Sequence, residues 1–392
     1  LAPPGKRQRL GSGVPLLALL SLGHTFIDLF SGALGVLQPF LVKKLGLSLT
    51  QVGILGATLI LSSSVAQPLY GYLSDRFRSP LFTTLAPAVA GISICCLALA
   101  PAFPWALLCV LAGGAGIAAF HPQGSSWAAA GVRKNQGGSM AVFISAGTIG
   151  MAAAPVFFER WIALFGFDRL PWAALLGVGA SLVLVTLVRE PEGLSTKRTR
   201  FDGKLLMANL KPLSILYLGV FFRSAIQVVY AQYLVLYLSR ERGFSVRAAA
   251  IGATTYLIAG AVGGFLGGHL SDRFGAKRVI LWSFAGSMPL LAAFFLASQP
   301  LISILLLAAG GFVLLFTIPV NVVVAQKLVP TQAGTVSALL MGFAWGGAGL
   351  VFLPLVGWAA EHVGLHAALF SLVWLSLPAW LLTRRLPEGI GS

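Results

Sequence analysis

Charge is what this sequence has least of. Only 10% of its 392 residues are charged, against roughly 25% in a soluble domain, and no more than 11 are acidic. That scarcity excludes the solvated surface of an ordinary globular enzyme. Cysteine is nearly absent as well: Cys95, Cys96 and Cys109 all lie inside apolar runs and two are adjacent, so neither a disulfide framework nor a thiolate metal site is expected. No P-loop is present, which leaves ATP drive within this chain without a phosphate cradle. Metal-ligand spacing, a paired catalytic carboxylate and a serine elbow are missing too, so no enzymatic activity, metal or cofactor is expected. A long polar domain, which would favour a receptor or assembly protein, is also missing.

What fills the chain instead is apolar: 57% hydrophobic residues, in runs of about 20 residues or more, each able to cross a hydrocarbon core of roughly 30 Å. The runs predict an all-α membrane protein with twelve spans near 14–42, 50–74, 80–101, 104–131, 137–165, 170–188, 212–239, 246–271, 277–298, 300–328, 332–360 and 366–383. One polar stretch, 189–211, interrupts them and separates a six-helix bundle over 14–188 from a second over 212–383, with short tails at 1–13 and 384–392. The tail's Lys6, Arg7 and Arg9 ahead of an apolar run imitate a signal peptide, but the run is too long and lacks a cleavage site, so it reads as the first span. The chain opens on Leu1 rather than Met, as a trimmed sequence would.

A net charge of +16 could suggest nucleic acid, yet the Lys and Arg residues sit in short loops. With the N-terminus inside, 19 of them fall on the cytoplasmic side and 7 on the other, which predicts cytoplasmic N- and C-termini in a bacterial-type inner membrane. Trp105, Trp161, Trp172 and Trp282 near span ends read as interfacial anchors.

The chain also repeats itself. Gly71-Tyr72-Leu73-Ser74-Asp75-Arg76-Phe77 returns 197 positions later as Gly268-His269-Leu270-Ser271-Asp272-Arg273-Phe274, and Gly46-Leu47-Ser48 falls in the same register on Gly243-Phe244-Ser245. A shared register of this kind marks two copies of one unit. Both copies are expected on the cytoplasmic face, where Asp75 or Asp272 could accept hydrogen bonds from a helix N-terminus or pair with Arg. With twelve spans, this glycine-aspartate-arginine pattern resembles the major facilitator superfamily. The resemblance implies that Gly71, Asp75, Arg76, Gly268, Asp272 and Arg273 form gating loops. The second copy continues as Gly275-Ala276-Lys277-Arg278, whereas Arg78-Ser79-Pro80 departs from the pattern in the first.

Ionisable residues inside a membrane are costly and mark function. Asp28 is the one acid well inside a span, and His24 stands four residues earlier on the same helical face. Arg223 is the one cation inside a span, followed by Gln227, Tyr230 and Gln232. The 197-residue offset carries Arg223 to position 26, between His24 and Asp28, so an Asp28–Arg223 pair across a central cavity is expected, with separate polar partners as the alternative. His24 is the proton-handling candidate, its ordinary pKa being about 6.5.

A second constellation, Phe120-His121-Pro122-Gln123-Gly124, predicts a polar kink in the fourth span, where the proline leaves a carbonyl free one turn earlier. The run Gly116–Gly124, the fifth span with Gly147 and Gly150, and the first span with Gln38-Pro39-Phe40 resemble the fosmidomycin-resistance branch of that superfamily. The resemblance implies a secondary transporter exporting drug-like or anionic compounds in exchange for protons. Gln123 stands where the branch has an acid, which leaves Asp28, His24 and His121 as the proton-coupling candidates. Arg223, Gln123, Gln227, Tyr230 and Asn321 are the substrate-binding candidates. Expected partners are a small molecule, protons and the lipid bilayer, with no nucleic acid and a monomeric chain. Import or facilitated passage of an organic anion or lipid-like molecule, and a non-transporting receptor on the same scaffold, are the alternatives.

Overall fold

An apolar run in a hydrocarbon environment can satisfy its peptide groups only within itself, and the helix does so. The computed structural model, which describes residues 14–77, 79–131, 136–189 and 203–390, carries this through almost the whole chain. Twelve helical stretches are long and apolar enough to cross a membrane: Leu16–Leu45, Leu49–Ser74, Leu81–Leu99, Phe103–Ala128, Gly138–Phe165, Phe167–Leu187, Leu210–Arg240, Val246–Phe274, Ala276–Leu296, Pro300–Leu328, Pro330–Val363 and Leu365–Arg384. They match the expected spans within a few residues. The first runs on to include Lys43 and Lys44, whose charges complement the carbonyl end of helix Ala33–Leu45. Residues 1–13 and most of 189–211, expected as tail and linker, lie outside the described residues.

Several spans are interrupted. The first consists of two helices, Val14–Ser31 and Ala33–Leu45, meeting at Gly32, where a side chain would run into the Met151 carbonyl at 2.9 Å. The second and eleventh each contain a π-helical stretch, Leu61–Val65 and Ala338–Ala344, and these two stretches pack on each other. Such widened turns recur at functional sites.

Packing gathers the described residues of Leu1–Ala33, Ala66–Ala154 and Trp161–Lys197 into one compact unit, and those of Leu34–Val65, Pro155–Arg160 and Arg198–Ser392 into another. The division passes through the first, second and fifth spans instead of following the polar linker alone.

In the first unit, Val14–Ser31 packs on Ala86–Cys95, Phe103–Gly131 and Ala174–Leu187. Gly150 of the fifth span lies directly on the Thr25 carbonyl, and Thr25 Oγ1 donates 3.1 Å to Ala146 O. Small residues of this kind bring helix backbones together where lipid supplies no hydrophobic drive.

In the second unit, Leu49–Ile60 packs along Trp345–Val363. Gly53 abuts the Leu353 carbonyl and Gly357 abuts that of Leu49. Tyr233 Oη sits between those same two carbonyls, 3.0 Å from Leu49 O and 3.1 Å from Leu353 O. Ser48 caps the first of these helices, and the Glu361 carboxylate accepts from Thr50 N at 2.8 Å. Nearby, Arg242 donates to Ala297 O and to Ser303 Oγ, while Glu241 accepts the backbone N–H groups of Leu365 and His366. His366 also meets the Tyr237 hydroxyl at 2.8 Å through its Nδ1.

The repeat survives as a contact. A Cβ at Gly71 would lie 3.4 Å from Pro122 Cβ, and one at Gly268 would lie 3.8 Å from Pro319 Cγ. Both pairs are separated by the same 197 positions, so each copy of the motif rests its glycine on the proline of its own fourth helix.

Candidate functional site

His24 and Asp28 stand one turn apart on Val14–Ser31, and His121 approaches them from Phe103–Gly131. His24 Nε2 lies 3.3 Å from Asp28 Oδ2, and His121 Nε2 lies 3.4 Å from Asp28 Oδ1. Each carboxylate oxygen therefore faces its own imidazole. His24 and Asp28 are 6% and 8% exposed, so bulk water supplies little of their solvation.

The other ring nitrogens are fixed by backbone. His24 Nδ1 lies 2.8 Å from Phe143 O, and His121 Nδ1 lies 2.8 Å from Ile117 O. A carbonyl only accepts, so both Nδ1 atoms carry hydrogen, and both Nε2 atoms are directed at Asp28. Aromatic rings hold the arrangement: His24 stacks on Phe143 at 4.2 Å and meets His121 edge-on at 5.1 Å. Gly147 on the fifth span completes the wall, since a Cβ there would lie 2.5 Å from both Asp28 Oδ2 and His24 Nε2.

These three side chains are the one group among the described residues with three potential metal donors together, all within 4.8 Å of one another. The His24–Asp28 and His121–Asp28 separations of 3.3 and 3.4 Å each admit a proton between the paired atoms.

Gln123, one residue beyond Pro122, turns away from this cluster. Its Oε1 accepts from Thr83 Oγ1 at 2.6 Å and its Nε2 donates to Ser79 O at 3.2 Å, which ties the fourth span to the start of the third. The helix runs unbroken through Pro122.

Arg223 lies in the second unit, 5% exposed. It donates to Gln227 Oε1 at 2.6 Å and Ser224 Oγ at 3.0 Å, while its Nε has no hydrogen-bond partner among the described residues. Within its unit Asp28 is held by the two imidazoles, and within its own Arg223 is held by Gln227 and Ser224. The Tyr256 hydroxyl and both amide atoms of Asn321 are likewise buried without partners among the described residues. Tyr230 donates to Leu369 O at 3.3 Å.

Of the loop residues, Arg76 donates to Tyr72 Oη at 3.3 Å, and Arg273 lies over the Phe274 ring at 5.2 Å. Asp272 is exposed and makes no ion pair among the described residues; the side chain of Asp75 falls outside them. Gly275, in the fuller second copy, has φ +87°, a conformation that favours glycine and turns the chain into Ala276–Leu296.

Sequence reasoning missed two contributors. The Phe143 carbonyl carries no side-chain signal at all. Gly147, named in the sequence only for the resemblance it carries, could have been placed at the site from its three-residue spacing to Gly150, which puts both on the helix face toward Val14–Ser31.

A fosmidomycin resistance protein from Escherichia coli (strain K12) is 28% identical over 383 residues, covering 95% of this chain and 93% of its own length. An uncharacterized MFS-type transporter of Bacillus subtilis (strain 168), YfnC, is 29% identical over 379 residues, covering 94% and 92%. A bacterial homolog of the human lysosomal transporter Spinster, solved inward-facing and occupied, matches with a TM-score of 0.80 at 17% identity, covering 94% of this chain and 95% of that one, and shows the fold. The Major Facilitator Superfamily model matches residues 20–225 and again 216–391, so that both halves carry it, and the chain belongs to that superfamily.

Proposed function

We propose that this transporter of a small-molecule substrate exports an organic anion in exchange for protons, by alternating access across a bacterial-type inner membrane. The observation that carries the proton coupling is Asp28 held between His24 and His121, with each oxygen facing an imidazole nitrogen. An aspartate and two histidines at membrane depth form a proton relay of the kind found in pumps and transporters, and imidazole exchanges protons in the physiological range.

The anionic character of the cargo rests on Arg223, a buried cation with an unpartnered Nε, supported by the unpartnered Tyr256 and Asn321. A guanidinium is suited to carboxylate and phosphate groups. Gln227 and Tyr230 share its helix. Outward direction is drawn from the fosmidomycin resistance protein among its relatives. The two halves, 14–188 and 212–383, act as bundles of one monomeric chain, with the motifs at Asp75 and Asp272 on the cytoplasmic face limiting their rocking.

The test is transport in proteoliposomes, with fosmidomycin as the first probe and organic anions chosen by thermal stabilisation as the next. An imposed pH gradient is expected to drive accumulation, and Asp28→Asn to abolish that drive. Transport that ignores the gradient in the wild type and survives Asp28→Asn would sink the assignment.

A further inference from the structure

The hydrogen-bond geometry of the triad fixes how many protons it holds. Both Nδ1 atoms are committed as donors to the carbonyls of Phe143 and Ile117. Both Nε2 atoms face oxygens of Asp28, at 3.3 and 3.4 Å. An Nε2 without hydrogen offers a lone pair, and an ionised carboxylate offers only lone pairs, so each of the two contacts is attractive only with a proton in it. Whether that proton is assigned to nitrogen or oxygen leaves the count unchanged.

We infer that the triad of His24, Asp28 and His121 loads and releases two protons together in each transport cycle, swinging between one net negative and one net positive charge. This rests on the proton-coupled reading above and adds its stoichiometry. A single proton would leave one imidazole lone pair against a carboxylate oxygen in a buried site, where an unpaired polar contact costs most. A third proton would find no third contact to occupy.

Among the described residues, no further ion pair reaches the triad. The helices packed on Val14–Ser31 are Ala86–Cys95, Phe103–Gly131, Ala174–Leu187 and, through Phe143 and Gly147, Gln136–Phe165. Their other ionisable side chains are Cys95, Cys109, Glu159 and Arg160, and among the described residues Asp28 forms its ion pairs with His24 and His121. Gly147 keeps the place beside the His24–Asp28 gap clear of any side chain.

The experiment counts protons without needing the substrate. The full chain in detergent, treated with chelator, is titrated from about pH 9 to about pH 5, across the ordinary imidazole range, beside the triple variant His24→Gln, Asp28→Asn, His121→Gln. The wild type is expected to take up two more protons per molecule than the variant. Nitrogen-15 spectra of the histidine-labelled wild-type chain give the same count should the variant fail to fold: loading should protonate both Nε2 positions, or one of them together with the Asp28 carboxyl. A count of one or none overturns the inference. So does one zinc ion bound per molecule before chelation that blocks the uptake, which would give the place to a divalent metal. Two protons taken up by a chain whose transport ignores the pH gradient would keep the count and remove the antiport assignment.

Discussion

Gly147 borders Asp28 through the side chain it lacks: a Cβ at that position would stand 2.5 Å from the Oδ2 atom. Atoms cannot share that space, so Gly147→Ala must displace the carboxylate or the His24 ring, which the same Cβ would meet at 2.5 Å. Overpacking of this sort costs about 1–3 kcal/mol. The expected outcome is a folded, moderately destabilised protein that has lost proton-driven transport, checked by thermal unfolding beside a proteoliposome assay.

Arg223→Ala should remove stabilisation by anionic ligands while leaving that by neutral ones. A ligand at a hundred times its Kd raises stability by about 2.7 kcal/mol, and for anions this gain should fall to near nothing. Arg223→Lys keeps the charge but not the planar fork, and should recover part of it. A thermal-shift series against an anion panel reads both.

Gln123→Glu would restore an acid after His121-Pro122. Oε1 can still accept from Thr83, but the second carboxylate oxygen would face the Ser79 carbonyl to which Nε2 now donates. Two acceptors in that half-buried contact should destabilise the chain by about 1–3 kcal/mol. Denaturant unfolding measures the loss, and Gln123→Asn should show a smaller one if the shorter amide still reaches either partner.

Tyr233→Phe removes one hydroxyl from between the Leu49 and Leu353 carbonyls. The expected loss is about 1 kcal/mol. Gly53→Val, by contrast, drives a branched side chain into the Leu353 carbonyl, and should prevent Leu49–Ile60 from seating on Trp345–Val363. Cross-linking of cysteines placed on the two helices should survive the first change and fail with the second.

The spans were legible because apolar length is a property of sequence alone, and the duplication because a register can be read without coordinates. His24 with Asp28 was legible for the same local reason, four residues on one helix. Arg223 with Gln227 has that spacing too, and their hydrogen bond is equally local. The bond between His121 and Asp28 joins positions 93 apart; both residues stood out, but helix packing decides that they meet. Gln123 shows the opposite limit. Its polarity within a span suggested a ligand contact, while the neighbouring Thr83 and the Ser79 carbonyl take up its amide.

The paired contacts Gly71–Pro122 and Gly268–Pro319 give the two halves the same joint, but not the same electrical load. Moved by the 197-residue register, His24, Asp28 and His121 fall on Phe221, Ala225 and Ile318, which hold no exchangeable proton. On the proton-coupled reading proposed above, a change in proton occupancy would alter the charge of one half of the duplicated frame and leave the equivalent positions of the other electrically silent.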